Sequence, residues 1–183
     1  LHCHPQKKTG LILLAGEAVV SFLNDSKALK GLNKLNIQRG VFHSTAAVSP
    51  EGISVIEIET PRVKENLVRL DDEYNRDEVS YEGPEATVPM DKNCIKLNAP
   101  EAGRKFSYSL AGCHLTVEKV KDNEGMRHRH PEEIIAVLEG GLVSLSGETV
   151  MGPGDIISGD TLDRLASKFS ITPQGSSLLI IQK

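Results

Sequence analysis

Two copies of one short pattern constrain this chain more than any other feature. His2-Cys3-His4-Pro5 and His128-Arg129-His130-Pro131 both read H-x-H-P, in a sequence with 6 His and 9 Pro among 183 residues. Each copy runs into an apolar stretch that ends on glycine. These are Leu11-Ile12-Leu13-Leu14-Ala15-Gly16 in the first and Ile134-Ile135-Ala136-Val137-Leu138-Glu139-Gly140 in the second. Val19-Val20-Ser21-Phe22 and Leu142-Val143-Ser144-Leu145 follow in turn. Further on, Gly40-Val41-Phe42-His43 corresponds to Gly159-Asp160-Thr161-Leu162, with a longer insertion in the first copy. Self-similarity on this scale describes two structural units built to one plan.

Each unit reads as short β-strands punctuated by Gly, Pro, Asn and Asp. Ile53 to Glu59 is rich in β-branched residues and bounded by Pro50 and Pro61. Leu115-Thr116-Val117 alternates, Ser177 to Ile181 closes the chain as a buried strand, and Pro153-Gly154-Asp155 is a turn leading into Ile156-Ile157. Two short helices are expected, Glu65 to Tyr74 in a charged stretch between the units and Thr161 to Phe169, where Leu162, Leu165, Ala166 and Phe169 share a face. Regular short strands in two repeats predict a mainly β protein, a double-sheet barrel or jelly roll. The first unit lacks the strands that Phe106 to Lys121 give the second. A stretch upstream of Leu1, or strand exchange with a partner chain, is therefore expected.

Composition narrows the partners. A net charge of -4 argues against a nucleic-acid backbone, which needs clustered Lys and Arg. With no Trp and 4% aromatic residues, stacking platforms are thinly supplied. Three cysteines without C-x-x-C spacing imply neither a disulfide framework nor a Cys-rich zinc site, so a reducing cytoplasm is expected. The apolar run Leu11 to Val20 is shorter than the roughly 20 residues that span a bilayer. Lys7 and Lys8 before it raise a secretory signal, but Glu17 within it and the lack of a small-residue cleavage site count against one. The expected partners are a small-molecule substrate and a second copy of the chain in a homodimer, with no nucleic acid and no membrane.

This arrangement resembles the cupin superfamily. A cupin half carries a first motif of H-x-H, a following Glu and a Gly, and a second motif of Gly with His three residues later. His2, His4 and Gly16 match the first motif, with Thr9 where its Glu would fall, and Gly40 and His43 match the second. In the other half Gly125, His128, His130, Glu133 and Gly140 match the first motif, while Leu162 replaces the His of the second. The resemblance implies a bicupin with a double-stranded β-helix (jelly-roll) fold: residues 1–61 as a first half, 62–100 as a charged linker with a short helix, and 101–183 as a second half. Glu59-Thr60-Pro61 and Leu67 to Asp72, with Tyr74 and Arg76, add a similarity to bacterial bicupins of sugar-phosphate and surface-polysaccharide metabolism.

Alternate residues of a strand project to one side, so H-x-H aims two imidazoles at one point. His43 is the available third ligand in the first half. Three neutral imidazoles leave a divalent ion its full charge and an open position, the arrangement of a catalytic site. Zinc, iron, manganese and nickel all fit. In the second half His128, His130 and Glu133 resemble a facial triad for non-haem iron, with water or Asp160 in the place of the missing ligand. Arg127 and Arg129 around that pair are either a phosphate clamp or a wet basic rim. Glu57 and Glu59 share a strand face. Facing inward, either is a candidate catalytic base; facing outward, they are a polar stripe.

Three functions compete on this reading. One is an isomerase- or epimerase-like enzyme moving a proton beside a carbonyl of a small sugar-derived or sugar-phosphate substrate. The second is a non-haem iron dioxygenase, and the third a non-catalytic sugar-binding module, favoured by the eroded motifs.

Overall fold

A computed structural model describes residues 1–63, 66–70 and 97–183. The first half contains β1 (His2–Cys3), β2 (Lys8–Ala15), β3 (Glu17–Phe22), β4 (Ser26–Lys30), β5 (Lys34–Ile37), β6 (His43–Ala47), β7 (Ser54–Thr60) and β8 (Val68–Arg69). They form a five-stranded sheet in the order β4-β3-β6-β1-β8 and a three-stranded sheet β5-β2-β7. The second half contains β9 (Lys105–Leu110), β10 (Cys113–Val120), α1 (Asn123–Met126), β11 (Ile134–Glu139), β12 (Leu142–Val143), β13 (Thr149–Met151), β14 (Ile156–Ser158), α2 (Gly159–Ala166), β15 (Ser170–Ile171) and β16 (Ser176–Gln182). Its sheets are β14-β11-β16-β10-β9 and β13-β12-β15. The mainly β, double-sheet expectation holds, with antiparallel pairing in every ladder between these strands.

The sequence repeat is a repeat of pairing. β2 lies between β5 and β7 as β11 lies between β14 and β16, and β3 lies between β4 and β6 as β12 lies between β13 and β15. Even the irregularities coincide: the ladder slips between Leu13 and Ala15 in β2 and between Val137 and Glu139 in β11. Such a slip bends the strand and raises its twist, which curves each sheet over its core.

β2 and β11 read as unbroken apolar runs because both of their faces are covered. Leu11 and Leu13 turn into the first half beside Ala18, Val20, Leu29 and Ile37. Ile135 and Val137 turn into the second half beside Met126, Leu142, Met151 and Leu162. Between the halves, Ile12 and Leu14 meet Ile134, Ala136, Leu115, Val117, Ile156, Leu179 and Ile181 in one shared core. The two inner sheets therefore pack back to back. A Cβ at Gly10 would fall on Ile156 Cδ1, so glycine is what lets the sheets approach here. Polar ties cross the same seam: Lys8 Nζ lies 2.6 Å from Asp155 Oδ1, and Asn36 Nδ2 donates to the Ile156 carbonyl at 2.9 Å.

Two expectations need correction. The charged stretch expected as a helix from Glu65 to Tyr74 is extended where it is described: Val68 and Arg69 form β8, opposite Cys3 and His2. Pairing over the first H-x-H segment outweighs the local helical pattern; Glu65 and residues 71–74 lie outside the described residues. α2 begins earlier than its periodicity suggested, because the Ser158 hydroxyl caps it by accepting from Thr161 N. Among the described residues, no helix is long and apolar enough to cross a membrane.

Burial of both faces of β2 makes a sharp test. Ile12→Ala and Leu13→Ala should each lower unfolding free energy by about 2–5 kcal/mol in denaturant titration. A strand with one wet face would give one costly and one nearly neutral substitution.

Candidate metal centre

His2 and His43 lie directly opposite one another in the β1–β6 ladder, and residues so placed share a face. His4 follows β1 by one residue and returns to the same side. The three rings gather with centroids 4.5 Å (His2–His43), 5.2 Å (His2–His4) and 6.0 Å (His4–His43) apart. A nitrogen from each lies within 4.8 Å of one from each of the others. His4 and His43 are both only 3% exposed.

The proton inventory of these rings decides what they can hold. His4 Nδ1 lies 2.7 Å from the Asn66 carbonyl and His43 Nδ1 2.9 Å from the Val41 carbonyl. A carbonyl only accepts, so each Nδ1 carries the hydrogen, and in the neutral ring each Nε2 presents a lone pair. His43 Nε2 is buried with no hydrogen-bond partner. Burial holds the His43 ring below its usual pKa, outweighing the hydrogen bond to Val41 that raises it, and His4 adds to the lowering. His2 is pushed down to about 4, first by burial and then by His43 and His4. Protons are thus disfavoured on His2 and His43, and neutral imidazole is the form that ligates a metal.

A carboxylate completes the cluster. Glu59 Oε1 lies 2.7 Å from His4 Nε2, and Oε2 lies 2.9 Å from Nζ of Lys7, which is 4% exposed. Glu59 stands opposite Thr9 in the β2–β7 ladder, and Thr9 is the residue found where the first motif would have its Glu. The second half has the mirror image. Glu133 precedes Val137 by as many residues as Thr9 precedes Leu13, and Glu133 Oε1 accepts from Gln182 Nε2 at 2.6 Å. Gln182 follows Ile181, the partner of Ile134, just as Glu59 follows Ile58, the partner of Gly10. The acid is thus carried by the inner strand in one half and by its neighbour in the other. Sequence reasoning placed Glu59 among candidate bases; counting the register from Thr9 is the signal that links it to the ligands. Glu57, on the same strand face, offers a carboxylate oxygen within 4.8 Å of ligand atoms of both His4 and Glu59. It is open to solvent at the rim, yet burial by its surroundings and the Glu59 charge raise its pKa.

The three imidazole nitrogens fit a divalent cation, two of them on buried rings whose Nδ1 is fixed by backbone carbonyls, and Glu59 joins the group through His4.

His128, His130 and Glu133 are not brought to a point in the same way. No ligand cluster containing them occurs among the described residues. His128 has φ 57° and is exposed, 3.2 Å from Glu124, and His130 is also exposed. The cause is α2, which stands where the second motif would supply its histidine. Asp163 of α2 accepts from His128 N at 2.9 Å, and Leu162 is fully buried in the core beneath. Arg129 turns inward instead. Its Nη1 lies 2.6 Å from Glu118 Oε1, while Lys105 Nζ lies 2.8 Å from Glu118 Oε2. Asp160 pairs with Arg164 on the exposed side of α2.

No family model matches the chain, and neither does any curated protein. Solved structures similar to it include a cupin 2 conserved barrel domain protein from Leptotrichia buccalis, 14% identical over 99% of this chain and 76% of that one, with a TM-score of 0.31. AerE from Microcystis aeruginosa is 13% identical over 98% of this chain and 78% of that one, TM-score 0.32. Oxalate decarboxylase from Bacillus subtilis is 13% identical, TM-score 0.31; the match covers 100% of this chain but 64% of the decarboxylase.

The Glu118 ion pair yields a prediction. Burial opposes its ionisation, but hydrogen bonds and charge from Lys105 and Arg129 prevail and hold its carboxyl below the usual 4.5. That contribution is therefore present above pH 4.5 and lost as pH falls through the lower folded value. Glu118→Gln should cost about 3 kcal/mol at neutral pH, because it leaves Arg129 buried without its counter-charge. The deficit against wild type, followed by denaturant titration, should shrink on acidification below pH 4.5.

Proposed function

We propose that this chain is a metal-binding bicupin whose first half holds one divalent cation through His2, His4, His43 and Glu59, and that it works as an isomerase- or epimerase-like enzyme. The observation that carries the reading is the set of bare imidazole nitrogens. Nδ1 of His4 and of His43 is spent on a backbone carbonyl, leaving two buried Nε2 lone pairs beside His2 and a carboxylate. His43 Nε2 is a buried acceptor without a donor, which costs about 1–3 kcal/mol, and His4 Nε2, 2.7 Å from Glu59 Oε1, requires a proton or a cation between the two.

A divalent cation held there supplies a Lewis acid that polarises a carbonyl oxygen of the substrate and acidifies the adjacent C–H. The protein does the rest. Asn66 and Val41 fix the tilt of two rings through their carbonyls. Lys7 holds one oxygen of Glu59 and leaves the other toward His4. Glu57, beside this group and in no ion pair among the described residues, would take and return the proton as a general base. The substrate class is a small carbonyl compound, and the sequence resemblance adds that it is sugar-derived.

Elemental analysis of protein purified without a metal column should find one equivalent of a divalent metal, and His43→Ala should remove it. Full occupancy in that variant would overturn the reading. Glu59→Gln should weaken metal binding about tenfold or more, the worth of one charge-assisted contact. Thr9→Glu combined with Glu59→Gln should restore it by returning the acid to the inner strand. Glu57→Gln should keep the metal but abolish solvent-deuterium incorporation beside the carbonyl of a turned-over sugar. Oxygen consumption with an enol substrate would instead identify a dioxygenase, and ligand binding without exchange a non-catalytic module.

A further inference from the structure

Arg127 and Arg129 are left unused by the metal reading, and they share a cleft of about 510 Å³ in the second half with Arg104, Lys105 and Lys119. That volume suits a small ligand. The cleft is walled by β9, by β10 and by the turn from Gly125 to Arg129.

Glu118, Asp163 and Glu101 around it each face a Lys or Arg, whereas Glu133 faces no cation among the described residues. Glu118 spends both oxygens on Arg129 and Lys105. Glu133 Oε1 is taken by Gln182, although its Oε2 is buried without a partner. Asp163 accepts from His128 N and stands 3.9 Å from Arg127 Nε. Glu124 faces His128 at 3.2 Å, and Glu101 lies 3.8 Å from Arg104. The cations are less well matched. Lys119 meets no carboxylate among the described residues, and the Nε atoms of both Arg127 and Arg129 are buried without an acceptor. Arg129 is also held rigidly, since Nη2 donates to the Gly125 carbonyl while Nη1 is fixed by Glu118.

We propose that this cleft binds a small oxyanion, the phosphate or carboxylate group of a metabolite, with Arg127 and Lys119 as the contacting cations and Arg129 as the fixed floor. Guanidinium is the side chain suited to it, because its planar fork matches two oxygens of one anion. The second half thus offers a protein-borne cation where the first half assembles metal ligands, and the proposal stands whether or not the metal reading does.

Isothermal titration of the full chain with inorganic phosphate at low ionic strength tests it. Saturable binding that weakens with added sodium chloride is expected. Lys119→Gln combined with Arg127→Gln should reduce affinity about tenfold or more, as loss of a charge-assisted hydrogen bond does. His43→Ala should leave it unchanged. Titration with malonate in place of phosphate separates the two sources of the oxyanion: the tighter binder names the group. Lys119→Gln alone, which breaks no ion pair, carries the comparison if the double variant unfolds. Absence of saturable binding of either anion, or binding lost in His43→Ala and retained in the cleft variants, would overturn the proposal.

Discussion

Burial of β2 and β11 on both faces is the constraint on which the rest of this molecule depends. Each strand sends one set of side chains into its own half and the other set into the seam between halves. A strand covered twice cannot slip by one residue without exchanging its two cores, so its register is fixed more firmly than that of a strand with one wet face. Both candidate sites sit at the open ends of these ladders. Thr9 and Glu59 are one pair from the end of the β2–β7 ladder, and Glu133 and Gln182 lie just beyond the paired stretch of β11 and β16. Precision in the position of a carboxylate is thereby inherited from the packing of leucine and isoleucine.

Much of this was legible in the sequence, because apolar runs and turn residues report burial and reversal directly. The paired motifs align β2 with β11 on Gly16 and Gly140, and the ladders add a slip just before each that the sequence does not announce. What could not be read is where neighbouring strands lie in space. Nothing local in Asn66 to Leu70 says that it will cover His2 and Cys3 as a strand, since the partner is far away in the chain and the pattern itself suits a helix. The same limit applied to the metal centre. Strand alternation suffices to bring His2 and His4 together, but the position of Glu59 depends on a ladder, and the roles of the Asn66 and Val41 carbonyls depend on loops that no periodicity describes.

The second H-x-H pair shows how little a motif determines by itself. Its histidines have the same spacing as the first pair, and Glu133 follows at nearly the expected place. The difference lies in what stands across from them. In the first half β6 runs beside β1 and sets His43 against His2. In the second half the corresponding connection is α2, whose Asp163 holds the backbone of His128 in the left-handed region. A non-glycine residue there costs about 1–2 kcal/mol, which the bond to Asp163 and the burial of Leu162 and Ala166 offset. With the segment so turned, the middle residue of the motif points inward in place of the outer two.

That inversion has an electrostatic consequence. Neutral imidazoles carry no charge of their own. A guanidinium brings its charge with it, and in a buried position it requires a carboxylate, which Glu118 provides from β10. β10 has no counterpart among the described strands of the first half. The extra strands of the second half thus do more than widen a sheet: they supply the acid that makes an inward arginine tolerable, where the first half gathers imidazoles in its place.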